Sequence, residues 1–379
     1  MEYSGQMSDG LMHGQGMLVY PNKEKYTGDF VRGKRHGVGV MQFEDGSVYT
    51  GDTLAVGRTN MSSMQLVCAG MWENDLIHGT GARQYPNGNR YEGEWVHGFI
   101  NGEGTLHYYD GDFYTGHWKD GKMDAHGVYQ FHNGDRYEGD WQQDQRHGRG
   151  TIVYKGGDGH IHEKYEGEWC RGQMHGQGTY WYGDGSLYEG EWRHDQMHGK
   201  GTYVYHNGNK YTGEWVEDLK QGHGVMEYTN GEKYDGLWHH DVFHGIGTFR
   251  DILGNQYTCH WVAGLKQGKG EAIFKNRDVF VGEWGRDGNI ACGVLTYANG
   301  DKYEGQMIAQ ARHGTGTFYC KSDGKSYHGE WQHNKKQGPG SLRFPSGEVL
   351  RGEWKDGTLL PGSLAFQFAP SSPWIEPTY

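Results

Sequence analysis

A pentapeptide of the form Tyr-x-Gly-x-Trp recurs along the chain, and its spacing constrains the fold more than any other feature. Complete copies include Tyr91–Trp95, Tyr137–Trp141 and Tyr188–Trp192. When looser copies are included, twelve of the fifteen intervals between successive units are 23 residues, and twelve of the fourteen Trp residues occupy the fifth position of a unit. The units begin at residues 3, 26, 49, 68, 91, 114, 137, 165, 188, 211, 234, 257, 280, 303, 327 and 350. A short, regular period of this kind indicates small repeated units that stack on their neighbours.

Each unit has a second half, in which another short motif recurs. About ten residues after the Tyr comes His-Gly-x-Gly, as at His36–Gly39 and His198–Gly201, and an aromatic residue such as Phe43 follows four residues later. An Asn-Gly or Asp-Gly pair such as Asn87–Gly88 then ends the unit. We expect these pairs to form tight turns with positive φ at both central residues. Each unit is therefore predicted to be a β-hairpin.

The pentapeptide separates two faces of a strand, because alternate residues point to the same side. Tyr91, Gly93 and Trp95 share one face, and Glu92 and Glu94 share the other. A single hairpin is not stable alone in water, so we expect neighbouring hairpins to stack and to extend the aromatic face. The predicted fold is all-β: an elongated, single-layer antiparallel meander of about sixteen stacked hairpins, twisted or curved, with no helical domain.

The repeat array is predicted to occupy residues 1–358, with irregular stretches at 51–67 and 155–164. In the first stretch Thr53 takes the place of the Trp, and in the second a short insertion separates two units. Two other departures lie in the array: the unit at 280–302 lacks His-Gly-x-Gly, and Met307 replaces the Trp of its unit. We interpret these departures as loop variation, bends or partner sites.

Residues 359–379 differ from the repeats, since they contain four of the eight Pro residues and several apolar side chains. This segment is predicted to be a Pro-rich aromatic tail. It either caps the last strand, whose free edge needs protection, or acts as a peptide for a partner. The candidate tail contacts are Phe366, Phe368 and Trp374.

Composition limits the classes of partner and compartment. The mean hydropathy of −0.90 would suit a disordered chain, but 14% of the residues are aromatic, which argues for folded strands. A formal net charge of −12 disfavours nucleic acid and an anionic membrane surface. The five Cys residues are scattered without a CxxC pair, and neither a membrane-spanning apolar stretch nor a signal peptide is evident. We therefore expect a cytoplasmic protein.

Tyr-x-Gly-x-Trp followed by His-Gly-x-Gly at this spacing resembles the MORN repeat (membrane occupation and recognition nexus), and the resemblance covers residues 3 to about 358. It implies a stacked array of β-hairpins. Known members of the family include radial-spoke-head proteins of cilia and flagella, cytoskeletal proteins of protists, and proteins of membrane contacts. Members made only of repeats act as scaffolds, dimerise or hold a partner helix. The family supplies no catalytic residue to carry over.

The aromatic stripe is the candidate binding surface, because a long uncovered aromatic trough marks a partner site. We hypothesise that part of it receives an amphipathic partner helix or a second copy of the array, which would make a homodimer. The candidate trough residues are Trp95, Trp118, Trp141, Trp169, Trp192, Trp215, Trp238 and Trp261.

Catalytic, cofactor and metal sites are not predicted. The recurring His residues are one unit apart, roughly 10 Å, so neighbours are too distant to share a metal ion. Gln221, Gln267 and Gln337 occupy the same repeat position, which favours a hydrogen-bonding role. Acidic residues such as Glu94 and Asp140 line the polar face, where an open ladder offers no cleft for paired-carboxylate chemistry.

The resemblance and the repeats together predict a non-enzymatic scaffold of the cytoskeleton that binds other cytoskeletal proteins. By analogy with the family alone, a cilium or flagellar axoneme is the expected location, in the manner of a radial-spoke component. The alternative is a peripheral phospholipid-binding protein that links membrane to cytoskeleton. The net charge of −12 and the lack of a basic amphipathic helix weigh against membrane contact.

Overall fold

The computed structural model describes residues 1–50, 70–157, 159–286 and 288–370. Within these ranges the chain forms β-strands and turns and no helix. Consequently, no helix in these ranges is long and apolar enough to cross a membrane. The chain divides into two compact units, residues 1–196 and 197–379. Inside each unit, strands that follow one another in sequence pair antiparallel, which confirms the predicted all-β meander of stacked hairpins.

The strands of the first unit are β1 (Glu2–Ser8), β2 (Leu11–Val19), β3 (Lys25–Val31), β4 (Lys34–Gln42), β5 (Val48–Thr50), β6 (Gly70–Glu73), β7 (Leu76–Ile77), β8 (Gly79–Gln84), β9 (Arg90–Val96), β10 (Phe99–His107), β11 (Phe113–Lys119), β12 (Lys122–Gln130), β13 (Arg136–Gln142), β14 (Gln145–Lys155), β15 (Ile161–Cys170), β16 (Gln173–Trp181) and β17 (Leu187–Arg193). The remaining strands are β18 (Gln196–Val204), β19 (Lys210–Val216), β20 (Leu219–Glu227), β21 (Lys233–His239), β22 (Val242–Arg250), β23 (Gln256–Val262), β24 (Leu265–Ile273), β25 (Val279–Trp284), β26 (Ile290–Thr296), β27 (Lys302–Ile308), β28 (Ala311–Tyr319), β29 (Ser326–Gln332), β30 (Lys335–Arg343), β31 (Val349–Lys355), β32 (Thr358–Leu359) and β33 (Ala365–Gln367).

Two kinds of turn connect the strands, and the tighter one is not where the sequence predicts it. At Asn87–Gly88 only Gly88 has a positive φ (92°), and its N–H donates to the carbonyl of Tyr85 (3.0 Å). This is a longer turn with one left-handed Gly. The two-residue turn with positive φ at both positions lies at the other end of the hairpin, as at His97 (49°) and Gly98 (91°). The prediction of positive φ at the Asn was therefore wrong.

One hairpin of the first unit is built from two separated pieces of sequence. Tyr49 on β5 pairs with Met41, while Gly70 and Trp72 on β6 pair further along the same strand β4. Tyr49 also pairs with Arg83 on β8. The Tyr, Gly and Trp of one repeat are thus Tyr49, Gly70 and Trp72, and the units counted at 49 and 68 are a single hairpin. The predicted irregular stretch 51–67 lies outside the described residues.

The described residues therefore complete seven hairpins in each unit, and β17 and β18 each add one further strand. The insertion at 155–164 lengthens its hairpin, because Tyr154 pairs with Glu163 and Lys155 with Ile161. The unit that lacks His-Gly-x-Gly still forms a hairpin, in which Trp284 pairs with Ile290.

The start of the predicted tail is part of the last hairpin. Leu359 on β32 pairs with Trp354, and Phe366 on β33 pairs with Leu350, so both short strands pair with β31. Residues 360–364 interrupt this second strand. Residues 371–379 lie outside the described part of the chain, and for them the prediction of a cap or a partner peptide stays a prediction.

Candidate functional site

The core of each unit is a ladder of alternating Tyr and Trp rings. Trp118 meets the Tyr114 ring of its own hairpin edge to face at 5.0 Å and the Tyr91 ring of the preceding hairpin at 5.6 Å. Its indole N–H donates to the carbonyl of Gly104 in the preceding hairpin (3.1 Å). Edge-to-face contacts add to the free energy of burial. Trp118 therefore joins its hairpin to the one before it.

Glycine makes room for the Tyr ring. Tyr91 lies over the backbone of Gly104, and a Cβ at that position would stand 2.1 Å from the tyrosine hydroxyl oxygen. The hydroxyl donates to the carbonyl of Glu94 (3.1 Å). The ring is fully buried, and burial raises the pKa of Tyr91 well above its usual value. The second Gly of His-Gly-x-Gly is therefore required by the packing of the ladder, because a larger side chain would collide with the Tyr ring.

The eight Trp residues of the predicted trough belong to this interior. Their exposed fractions are only 3% to 8%. The trough is therefore not an open aromatic surface, because the rings of the ladder cover one another: Trp118, for example, lies between Tyr91 and Tyr114. The predicted trough is closed because the ladder packs against itself, and binding of a partner along this stripe stays a prediction. The eight residues are Trp95, Trp118, Trp141, Trp169, Trp192, Trp215, Trp238 and Trp261.

The side chain that pairs with the fifth-position residue across the tight turn covers the ladder, and we call this the cover position. In the first unit it is mostly aliphatic or thioether, and in the second unit it is often a cation. The first-unit cover residues are Met12, Arg35, Ile77, Ile100, Met123, Arg146 and Met174. Those of the second unit are Lys220, Phe243, Lys266, Ile290, Arg312, Lys336 and Leu359.

Cover cations lie on aromatic rings, and two of them also have a carboxylate. The Arg35 guanidinium lies 4.4 Å from the Trp72 ring and its Nε is 3.3 Å from a carboxylate oxygen of Asp75. Lys220 forms the same kind of pair with Asp241 (3.1 Å). Each of these ion-paired side chains covers the aromatic rings beneath it.

The other cover cations of the second unit have no carboxylate. Lys266 lies 4.0 Å from the Tyr257 ring, Arg312 4.4 Å from the Trp331 ring and Lys336 4.6 Å from the Tyr327 ring. Within the described ranges none of these three cations forms an ion pair. Burial lowers the pKa of Lys266. Burial and, next, the Arg312 charge lower the pKa of Lys336. This face of the second unit therefore carries positive charge that the described residues do not neutralise.

The ladder is disturbed where Cys259 stands in place of the Gly between Tyr and Trp. Cys259 pairs with Gly270 and is buried. Its side chain occupies the space that the Tyr ring takes elsewhere, so the Tyr257 hydroxyl donates instead to a carboxylate oxygen of Asp251 (3.2 Å). Burial raises the pKa of the Cys259 thiol to about 11. One added side chain is enough to redirect the ring.

The ladder is interrupted at Met307, and a cavity of about 660 Å³ opens beside it. A Trp at this position would bridge Tyr303 and Phe280, as Trp118 bridges Tyr114 and Tyr91. The buried side chains of Phe280, Ile290, Leu295 and Met307 form the apolar floor. The cavity lies entirely in the second unit and faces the unpaired cover cation Arg312.

The acidic row of the polar face has a structural role. A carboxylate oxygen of Asp29 accepts the backbone N–H of Val38 (2.9 Å), and Asp140 accepts that of Arg149 (3.2 Å). At the same repeat position Gln306 accepts the N–H of Thr315 through its amide oxygen (3.1 Å). An amide oxygen accepts the same hydrogen bond as a carboxylate oxygen. These side chains therefore provide the acceptor for a backbone N–H at the β-bulge.

Two of the repeated His residues lie beside a His in the tight turn of the next hairpin. His175 and His194 have ring centroids 6.0 Å apart, and His313 and His333 are 5.3 Å apart. Among the described residues no group of three or more His, Cys, Asp or Glu side chains is arranged to hold a metal ion.

Of the candidate tail contacts, Phe366 lies on β33 and Phe368 follows directly after this strand. Phe366 and Phe368 meet at 5.1 Å, and each is 45% exposed. Trp374 lies outside the described residues. The structure brings Phe366 and Phe368 together with each other and keeps the eight ladder Trp residues in the interior. Sequence reasoning missed the cover position, although its signal is simple: it is usually the fifth residue after the Trp.

Comparison with solved structures finds low likeness. The TCP10 domain of Danio rerio CPAP in complex with a STIL peptide is 13% identical over 62% of this chain and 93% of its own, with a TM-score of 0.33. The SAS-4 TCP domain of Drosophila melanogaster in complex with a proline-rich motif of Ana2 is 14% identical over 48% of this chain and 84% of its own, with a TM-score of 0.26. With TM-scores of this size, no statement about this chain follows from them. Curated protein sequences give no match.

Comparison with protein families gives a direct assignment. The MORN repeat matches thirteen segments, at residues 3–25, 26–48, 68–90, 91–113, 114–136, 137–159, 165–187, 188–210, 211–233, 234–251, 257–279, 303–325 and 327–349. These segments cover most of the sequence and follow the hairpins described above. The chain therefore belongs to the MORN-repeat family and is a repeat protein of the scaffold or interaction class.

Proposed function

We propose that this chain is a non-enzymatic scaffold of the cytoskeleton. It would hold partner proteins on the face of the sheet that carries the cover residues. The observation that carries the proposal is the interlock between hairpins. Trp118 joins two hairpins through two ring contacts and one hydrogen bond, and Trp238 repeats this between Tyr211 and Tyr234. Such a core gives stiffness within each unit and uses its aromatic residues for structure.

The proposed docking surface is the cover position and its surroundings. Partners would meet the covers and the exposed side chains around them, because the Trp rings beneath are buried. In the second unit the unpaired Lys266, Arg312 and Lys336 favour a partner with acidic residues. An amphipathic segment with acidic and apolar side chains suits this surface better than nucleic acid, which the net charge of −12 disfavours.

The proposed location is cytoplasmic, in a cilium or flagellar axoneme. Its support is the family resemblance, since repeat-only members include radial-spoke components. The alternative, a peripheral protein bound to anionic phospholipid, would use the same unpaired cations. The two proposals differ in whether the protein is retained in the cell by cytoskeletal proteins or by a membrane.

Detergent extraction separates them. The protein would be tagged in its native cell and extracted with non-ionic detergent, beside a membrane marker and a soluble marker. We expect the tagged protein to stay with the insoluble filaments and to cross-link to their proteins. Release together with the membrane marker would overturn the scaffold proposal in favour of phospholipid binding, and release with the soluble marker would overturn both.

A further inference from the structure

We propose that the cavity beside Met307 is an anchor pocket for a partner peptide that carries a bulky apolar side chain next to a carboxylate. The inference rests on the proposed scaffold function and deepens it, because it assigns one site and one chemistry to the docking of a partner. It does not depend on which cytoskeletal structure holds the protein.

The pocket exists because a large side chain of the repeat is absent. In the regular ladder the fifth-position Trp fills the space between two Tyr rings, as Trp118 does. Met307 is smaller and unbranched, and the preceding hairpin has Phe280 in place of Tyr. The cavity of about 660 Å³ is within the usual range of ligand pockets. A bulky apolar side chain from a partner would take up the contacts that the missing indole leaves unmade.

The rim of the pocket is also apolar on one side. Leu253 lines the cavity at the neighbouring turn and is 60% exposed, and Ile252 beside it is 63% exposed. Phe274 and Tyr297 complete this wall. Apolar groups that stay exposed around a concave apolar site are typical of a binding surface.

Charge decides what accompanies the apolar side chain. The Arg312 guanidinium lines the cavity, and one of its terminal nitrogens donates to the carbonyl of Asn334 (3.0 Å). Its Nε is buried and has no hydrogen-bond acceptor among the residues that the structure describes. At the position of Asn334, Arg35 has Asp75 and Lys220 has Asp241. Arg312 therefore lacks the carboxylate that Arg35 and Lys220 possess, and a partner carboxylate would supply it.

The acid already present in the wall does not fill this role. Asp278 lines the cavity, but one of its carboxylate oxygens accepts the N–H of Ala298 (2.9 Å) and the other accepts the side-chain amide of Asn276 (2.9 Å). Lys275 adds a second cation to the lining and forms no ion pair within the described ranges. The charges of the lining therefore favour an anionic group at the Arg312 side of the pocket.

A display library of random dodecapeptides tests the proposal on the full-length protein. Peptides would be selected on the wild type and counter-selected on Met307→Trp, which places the repeat's own indole in the pocket. We expect an enriched motif with a bulky apolar residue adjacent to Asp or Glu. Binding of a labelled peptide with that motif should fall about ten- to hundredfold in Arg312→Gln, as expected for the loss of a hydrogen-bonded charge pair.

Matched controls keep the test independent of folding. Arg146→Gln removes a cover cation of the first unit, and it should leave peptide binding unchanged. Circular dichroism would establish that each variant is folded, and Arg312→Gln decides the question if Met307→Trp is not. The proposal is overturned if the enriched peptides lack an acid, if neither pocket variant weakens binding, or if nothing is enriched. Binding of dodecanoate without any peptide would assign the pocket to a fatty acid and also overturn it.

Discussion

Two pairs of neighbouring hairpins have the same repeat but differ in how the aromatic rings of the ladder are packed. The first pair begins at Tyr91 and Tyr114, and the second begins at Tyr257 and Phe280. In the first pair the Tyr91 and Tyr114 rings lie over glycine. Trp95 and Trp118 each bridge two Tyr rings. In the second pair Cys259 displaces one ring, and the hairpin that follows has Met307 where a Trp would bridge. The sheet is formed in both regions, so the backbone does not need a complete ladder.

This difference shows that backbone pairing and core packing are separable in the repeat. β23 to β28 keep their antiparallel registers through the disturbed region. What changes is the space above the strands. A cavity and a displaced ring are features that a rigid sheet tolerates locally, because each hairpin contacts only its neighbours.

The residues at the cover position also differ between the two units. The covers of the first unit are chiefly Met and Ile, which fill gaps and need no partner. Lys266, Arg312 and Lys336 in the second unit have aromatic rings beneath them and no carboxylate beside them. These cations are half-buried, and no ion pair offsets the hydration that they lose. Lys266 and Arg312 therefore leave positive charge without a counter-ion in the disturbed region.

The largest expected effect comes from removing a bridge in the regular ladder. Trp118→Ala loses two ring contacts and a hydrogen bond, and we expect a loss of about 3–5 kcal/mol in the free energy of opening the surrounding strands. Met307→Ala is the matched change in the disturbed region, where a cavity already exists, and about 2 kcal/mol is expected. Native-state hydrogen exchange measures both. Equal losses would contradict the view that the second region is less tightly packed.

The next effect tests the glycine beneath the ring. In Gly127→Ala the new Cβ would stand 2.2 Å from the Tyr114 hydroxyl oxygen, so the ring must move, and about 1–3 kcal/mol of stability should be lost. Gly183→Ala is the control, because the nearest heavy atom to its Cβ is 3.4 Å away; a change within about 0.5 kcal/mol is expected there. Urea denaturation compares them. A neutral Gly127→Ala would refute the close approach of ring and backbone.

A smaller effect separates paired from unpaired covers. Arg35→Met leaves Asp75 without its cation, and we expect a loss of about 1–2 kcal/mol. Arg312→Met strands no carboxylate and keeps an unbranched side chain on the ring, so its stability should change by less than about 1 kcal/mol. The same denaturation measurement applies. A larger loss for Arg312→Met would mean that Arg312 stabilises the fold by more than its ring contact and its hydrogen bond to Asn334.

Much of this architecture could be predicted from the sequence, because the fold follows a short period. The positions of Tyr, Gly and Trp on one face, the hairpins and the polar face all come from alternation and spacing. The split hairpin could not be predicted, since pairing identifies Tyr49 with Gly70 and Trp72 and spacing does not. A shortened interval looks the same whether a unit is incomplete or interrupted.

The burial of the Trp residues was also beyond the sequence. Alternation shows which residues share a face, but it does not show what covers that face. Here the face is covered by a ring of the preceding hairpin together with a residue across the tight turn, as Trp118 is covered by Tyr91 and paired with Met123. The cavity at Met307 follows from the same relation, because its size depends on Phe280 in another hairpin.

The smallest expected effect concerns Cys259, and it tests the cause of the displaced ring. Cys259→Ala keeps the Cβ that blocks the ring, and Cys259→Gly removes it. Both should change stability at neutral pH by less than about 1 kcal/mol. Only Cys259→Gly should free the Tyr257 hydroxyl from Asp251, which would alter the tyrosine signal in near-ultraviolet circular dichroism. An unchanged spectrum in Cys259→Gly would show that something other than the Cβ displaces the ring.

The thiol itself gives the pH dependence of this region. Burial raises the pKa of Cys259 to about 11, whereas an unfolded thiol ionises at about 8.5. Protonation of the buried thiol therefore favours the folded state fully below about pH 8.5, and this contribution is lost as the pH rises through 11. Cys259→Ala has no thiol to ionise and therefore serves as the reference. We expect the wild type to lose stability relative to Cys259→Ala across that interval in urea denaturation, and parallel curves would show that the thiol is not held in a buried, protonated state.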